Sequence, residues 1–254
     1  MSFNQRTSLA AGLILGLLAG SGTAAAVTDN NLNLIEAAAR NDAQVFKMML
    51  AMGANPDALD KGGNSALLMA AYHANRDMVR QLIALRTDVN VKGSIGFTPL
   101  GAAAMQGDTA IVKMLIKSGA RLDDRDDTGN TPLLNALNFQ RDANVKALLE
   151  AGSDADKVDA EGQTPLMVAV KAGRTDYVDA LLAQGVDPNP SDKQGMTALY
   201  WAIFEGHDEI AQRLLASGSN VNRLANGYPP LHWARVLGRA ELLPLLVNAG
   251  AVAD

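Results

Sequence analysis

The sequence predicts an all-α solenoid of about seven stacked helix–turn–helix units with projecting β-hairpin loops. Leu67, Leu100, Leu133, Leu166 and Leu199 stand 33 residues apart. Each lies in a variant of one tetrapeptide: Ser-Ala-Leu-Leu, Thr-Pro-Leu-Gly, Thr-Pro-Leu-Leu, Thr-Pro-Leu-Met and Thr-Ala-Leu-Tyr. Glycines recur at two further points of the same period. A fixed period of this length marks a stacked-repeat architecture. A sixth tetrapeptide, Pro229-Pro230-Leu231-His232, arrives one residue early, and a degenerate one, Leu32-Asn33-Leu34-Ile35, precedes them all.

Residues 1–26 differ in character. Arg6 is their only charged side chain, an apolar run spans Leu9 to Leu18, and Ala24-Ala25-Ala26 offers small residues to a peptidase. These are the three parts of a secretory signal peptide, with cleavage expected before Val27. The apolar run falls short of the roughly 20 residues that span a bilayer, so no stable membrane insertion is expected after cleavage. Residues 27–254 form the repeat domain, with repeats starting near 32, 65, 98, 131, 164, 197 and 229. Loss of Arg6 leaves 21 basic and 27 acidic residues, a net charge of −6. That balance argues against nucleic acid, whose binding needs clustered Lys and Arg. The chain has no cysteine, so stacking alone must support the fold.

Residues 98–129 illustrate one unit. Thr98 is placed to cap a helix N-terminus, and Pro99 occupies the first helical position, where its missing N–H is harmless. Ala102, Ala103 and Ala104 are small, strong helix formers, and Gly107 is expected to end this helix with a left-handed turn. Ile111, Val112, Met114, Leu115 and Ile116 give a second helix, starting near Thr109, a wide apolar face. Gly119 closes it. The Asp-rich stretch from Arg121 to Asn130 has the composition of a projecting turn.

These residues resemble the ankyrin repeat, over about residues 30–254. The resemblance rests on the Thr-Pro-Leu cores, on Gly107, Gly173, Gly206 and Gly238 between helices, and on Gly53, Gly119, Gly152, Gly185, Gly218 and Gly250 after second helices. Departures localise irregularity. Arg86 stands where other repeats carry glycine, and Gly93 where they carry Asp. Gln81 puts an amide where neighbours have Met114 or Leu245. Residues 81–96 are therefore expected to open faster than repeats 131–200, and Pro244 to kink the last second helix modestly.

The resemblance gives His232 and His207 structural roles, and His73 ends a first helix with partial exposure. The three occupy different slots, so no shared metal or catalytic site is expected. Asp124-Arg125-Asp126-Asp127-Thr128-Gly129 partly fits a calcium loop, but Asn135 stands where the bidentate Glu is needed. There is no phosphate loop, nucleophile elbow or Cys/His pair. No cofactor or metal is expected, and the chain is not read as an enzyme.

The resemblance implies binding of a partner protein, of unknown identity, through hairpin tips and the exposed ends of first helices, by a monomer. By register the tip slots are Asn64, Phe97, Asn130, Gln163, Met196 and Tyr228. The helix slots are Tyr72/His73, Met105/Gln106, Asn138/Phe139, Lys171/Ala172, Phe204/Glu205 and Val236/Leu237. Five of the ten aromatics after residue 26 fall in these slots. The candidate partner-binding residues are Tyr72, Phe97, Met105, Phe139, Lys171, Met196, Phe204 and Tyr228. Trp201 and Trp233 are read as core between repeats, Phe139 and Phe204 as exposed. Periplasmic export from a Gram-negative bacterium is expected, with a secreted effector of a eukaryotic host as the alternative. Similar exported bacterial proteins imply immunity to antibacterial toxins or protection against oxidative stress.

Overall fold

A computed structural model describes residues 30–252; the expected signal peptide lies outside the described residues. In chain order the α-helices are α1 (Asn30–Ala39), α2 (Ala43–Ala51), α3 (Ala66–Tyr72), α4 (Arg76–Ala84), α5 (Pro99–Ala104), α6 (Thr109–Lys117) and α7 (Pro132–Asn138). They continue as α8 (Asp142–Glu150), α9 (Pro165–Lys171), α10 (Thr175–Ala183), α11 (Ala198–Glu205), α12 (Asp208–Ala216), α13 (Pro230–Val236) and α14 (Leu242–Asn248). Odd numbers are the first helices of each repeat and even numbers the second. A 3₁₀ helix covers Ser94–Gly96. The described residues form a helical repeat solenoid of seven helix pairs. Among the described residues there is no strand, and no helix is long and apolar enough to cross a membrane.

Two compact units are present. Unit 1 comprises residues 30–121 and 138–147, and unit 2 comprises 122–137 and 148–252. In both, the repeated hydroxyl caps its helix: Ser65, Thr98, Thr131, Thr164 and Thr197 each accept from the backbone N–H three residues on, at 3.1–3.4 Å. This satisfies a donor that the helix cannot satisfy itself. The 33-residue leucines are at most 1% exposed, each burial contributing about 1.5–3 kcal/mol. Phe46, Val79, Val112, Val178 and Ala211 complete the core from the second helices.

The loops between repeats are closed by side chains instead of a strand ladder. Asp60, Asp126, Asp159 and Asp192 stand on the 33-residue period, which skips only position 93 between them, and the Oδ1 of each accepts from the N–H groups two and four residues later, at 2.8–3.0 Å. Two backbone bonds complete each turn, such as the Asp126 N–H donating to Asn130 O at 3.0 Å and the Gly129 N–H to Asp126 O at 2.9 Å. The expected β-hairpins are therefore reduced to Asp-tied turns. A second series joins successive loops. The Oδ1 atoms of Asp57 and Asn90 in unit 1, and of Asp123, Asn189 and Asn222 in unit 2, accept from the N–H of Asp88, Arg121, Asp154, Asn220 and Val252 at 2.9, 2.8, 3.0, 2.7 and 2.8 Å.

Where the tip Asp is missing, the loop is rebuilt. A Cβ on Gly93 would stand 2.2 Å from Leu68 Cδ2 and 2.6 Å from Asn64 Oδ1, so an aspartate there would have to displace both side chains. The Asn64 Oδ1 accepts from Ser94 N–H and Oγ instead, at 3.0 and 2.9 Å, and Ile95 takes φ 58°. Arg86 adopts φ 62°, the strained conformation expected of its slot. Three expectations change. Gly107 has no positive φ; Asn144 on α8, fully buried, donates from Nδ2 to the carbonyls of Ala103, Ala104 and Gln106 and closes the end of α5 instead. Asn41, Ala74 and Gln140 take left-handed φ of 58°, 54° and 52° between helices without glycine. Pro244 produces no interior kink, because α14 starts only at Leu242 and leaves the proline in the first turn, where no intrahelical donor is required of it.

Candidate functional site

In unit 2 the first helices α9, α11 and α13 pack in series and carry two ring clusters. Trp201 donates from Nε1 to Asp192 Oδ2 at 3.0 Å, the second oxygen of a loop-closing aspartate. This bond holds the indole at 9% exposure, agreeing with its reading as core. Lys171 Nζ lies 4.1 Å from the Trp201 ring centroid, a cation–π contact worth about 0.5–1 kcal/mol near solvent. Phe204 meets Trp201 edge-on at 6.1 Å and is 50% exposed. A supported but half-exposed ring is prepared for contact without further ordering.

The second cluster starts from the shortened loop. Ala225 and Tyr228 exchange backbone bonds, with Asn226 and Gly227 between them at φ 52° and 83°. This is the two-residue turn that Asn-Gly favours. Tyr200, 1% exposed, replaces the missing aspartate: its hydroxyl accepts from Ala225 N–H at 3.0 Å and donates to Tyr228 O. Tyr228 is thereby presented at 47% exposure, stacked on His232 at 4.1 Å and edge-on to Trp233 at 6.2 Å. Trp233 is half-buried, less so than the core reading expected, while Val236 is exposed. Met196 is half-buried at its loop base, its N–H held by Asp192.

Unit 1 differs. Phe97 is 5% and Met105 2% exposed, which removes both from the expected contact surface. The slot before the capping hydroxyl is the base of the loop, not its tip; Asn64 and Gln163 are buried there too. Its backbone closes the turn and the side chain points back to the repeat. Phe97 lines a small depression with Leu68, Met69, Tyr72 and Ala102. Met105 follows α5 directly, and its carbonyl accepts from Arg141 Nε at 2.8 Å. Tyr72 and Phe139 are half-buried, so the exposure expected for Phe139 is only partial. Burial raises the Tyr72 hydroxyl above its ordinary pKa and lowers His73 below its own.

The remaining histidines sit within the scaffold. The His207 ring packs on Gly173, where a Cβ would lie 2.8 Å from it. In the calcium-like loop, Asp126 is 8% exposed. Its Oδ1 accepts from Thr128 and Asn130, and its Oδ2 from Asn135 Nδ2 at 3.2 Å. The residue that breaks the calcium pattern thus serves the turn. Among the described residues, no group of three or more His, Asp or Glu is arranged to hold a metal. Tyr200 and Asp192 were missed as positioning residues, although Asp192 shares the 33-residue beat of Asp60, Asp126 and Asp159.

No curated protein matches the chain. A family model described as ankyrin repeats (3 copies) matches it in overlapping windows at residues 34–126, 86–157, 103–192, 133–225 and 184–254. Capped first helices, glycine-closed second helices and Asp-tied loops recur over the same span, and the chain belongs to the ankyrin-repeat family.

Proposed function

We propose that this chain captures a partner protein on the aromatic surface of unit 2, as a non-catalytic module of the bacterial periplasm. Ankyrin repeats are protein–protein interaction modules. The observation that carries the finer reading is the exposure of Phe204, backed by the Trp201 ring, and of Tyr228, held through its carbonyl by Tyr200 and stacked on His232. Large exposed rings on fixed supports are the residues that dominate interface energetics. Lys171 and Met196 are secondary contacts in this reading. Periplasmic location rests on the charge, apolar run and small-residue pattern of residues 1–26, and a role in toxin immunity or stress protection rests on family resemblance.

The test is affinity capture from periplasmic extract with wild type and a Phe204→Ala/Tyr228→Ala variant. The expected result is a specific partner retained by wild type and lost by the variant at unchanged helicity. An unchanged set of captured proteins refutes the surface. Cell fractionation with N-terminal sequencing tests the location; recovery of the intact N-terminus from the cytoplasm refutes it.

A further inference from the structure

The second helices of unit 1 carry a cationic series with the same period as the fold. Lys47, Arg80, Lys113 and Lys146 are each the fifth residue of α2, α4, α6 and α8, and each is exposed. Residues 3, 4 and 7 of α4 and α6 are buried (Met78, Val79 and Leu82; Ile111, Val112 and Leu115). The fifth position therefore faces outward beside the packed stripe. Helices in contact stand about 8–10 Å apart, which sets the spacing of charges borne at one register on packed neighbours such as α4 and α6. In unit 2 the same register carries Asp179 and Gln212, so the repeat consensus does not demand a cation.

The charge of the chain is divided accordingly. Among the described residues, unit 1 has 12 Lys and Arg against 8 Asp and Glu, and unit 2 has 9 against 17. A protein that is acidic as a whole thus carries a basic unit of net +4. Arg80 is paired with Asp77, but the two side chains are 60% and 80% exposed, a setting in which ion pairs exchange partners at little cost. On the same helices Met48, next to Lys47 in the chain, is 51% exposed, and Met52 and Leu85, which cap the ends of α2 and α4, are 58% and 51% exposed. Met52 and Leu85 also share one register.

We propose that the outer face of the second helices of unit 1 docks on an anionic phospholipid surface. The series offers regularly spaced point charges, three of four of them lysines, without the planar, bidentate geometry that a single shaped anion selects. A headgroup layer supplies phosphate at any spacing. The exposed methionines and leucine borne on or at the ends of the same helices match the apolar layer below it, as in proteins that lie on a membrane without crossing it. An acidic protein would answer the same cations, and the vesicle assay separates the two.

The test uses the protein in the form that accumulates when the full-length chain is expressed, sedimented with phosphatidylcholine vesicles with or without 30 mol% phosphatidylglycerol. Each Lys or Arg at such a surface strengthens binding about fivefold. A variant with Lys47→Gln, Arg80→Gln, Lys113→Gln and Lys146→Gln should therefore bind anionic vesicles about two to three orders of magnitude more weakly. Wild-type binding should fall steeply toward 1 M salt, where the screening length is about 3 Å. A Phe204→Ala/Tyr228→Ala variant should bind vesicles as wild type does, which separates this inference from the partner-binding surface. The proposal is overturned if wild type binds both vesicles equally, or if the four-glutamine variant binds undiminished. Salt-sensitive self-association without vesicle binding also overturns it and assigns the series to an acidic protein face.

Discussion

Asn144→Asp isolates the buried amide that closes α5. The two side chains have the same shape, so no cavity is created; only the donor changes. Asn144 is 0% exposed, and its Nδ2 lies 3.3, 3.1 and 2.5 Å from the carbonyl oxygens of Ala103, Ala104 and Gln106. A carboxylate there would face three acceptors and gain no donor apart from the Thr109 hydroxyl, which already bonds the Oδ1 at 2.7 Å. The aspartate is expected to remain protonated in the folded state. Holding a group of ordinary pKa about 3.9 neutral at pH 7 costs about 4 kcal/mol. One O–H replaces two N–H donors, which adds about 1 kcal/mol for the lost bond. The sum of about 5 kcal/mol corresponds to a melting temperature lower by about 10–20 °C for a chain of this size.

The sign with pH follows from the same numbers. The folded-state pKa of the new aspartate is raised, so the folded state holds its proton more tightly than the unfolded state. The penalty is full well above the unfolded pKa and is relieved as pH falls toward it. Urea unfolding followed by circular dichroism should show the deficit of the variant shrinking from about 5 kcal/mol at pH 7 to about 1–2 kcal/mol near pH 4. A variant as stable as wild type at pH 7, or a deficit independent of pH, would refute the role given to Asn144.

Four further outcomes are expected. Gly129 and Gly195 share a left-handed φ of 81° and 78°, but only at Gly129 would a Cβ meet backbone, 2.5 Å from Ala160 N. Gly195→Ala should cost about 1–2 kcal/mol and Gly129→Ala about 1–3 kcal/mol more, read as the difference between two denaturation midpoints; equal losses would remove the loop-to-loop contact. Phe204→Ala should cost under about 1 kcal/mol while Leu199→Ala, at a site 0% exposed, costs about 2–5 kcal/mol; equal thermal shifts would make Phe204 core. Burial lowers the His73 pKa, so its contribution is present above the ordinary value of about 6.5 and is lost as pH falls through the folded value. His73→Gln should flatten that part of the stability profile, and an unchanged acid slope would contradict it. Hydrogen exchange should be faster across 81–96, where Arg86 and Ile95 hold positive φ, than across 131–200; uniform protection would count against this.

Much of the fold was legible from spacing alone. Capping hydroxyls, helix-ending glycines and buried leucines obey local rules, and a residue that must satisfy its own helix end carries the same identity in every copy. The candidate surface was half legible. Phe204 and Tyr228 were found by counting along the repeat, yet the same counting placed Phe97 and Met105 outside. Register fixes position along the chain, whereas exposure depends on how the loop base turns, and that turns on Gly93 and on a non-left-handed Gly107.

By itself, the sequence determined the repeat number and the pairing of helices within each repeat, because these rest on interactions within one copy. Tertiary structure alone decided which polar residues join one copy to the next. Asn144 reaches across to the carbonyls at the end of α5, Tyr200 takes over a missing aspartate, and Trp201 bonds the free oxygen of Asp192. Each stands at a position that another repeat fills with an ordinary apolar side chain, and only the approach of two backbones shows that a hydrogen-bonding group is needed there.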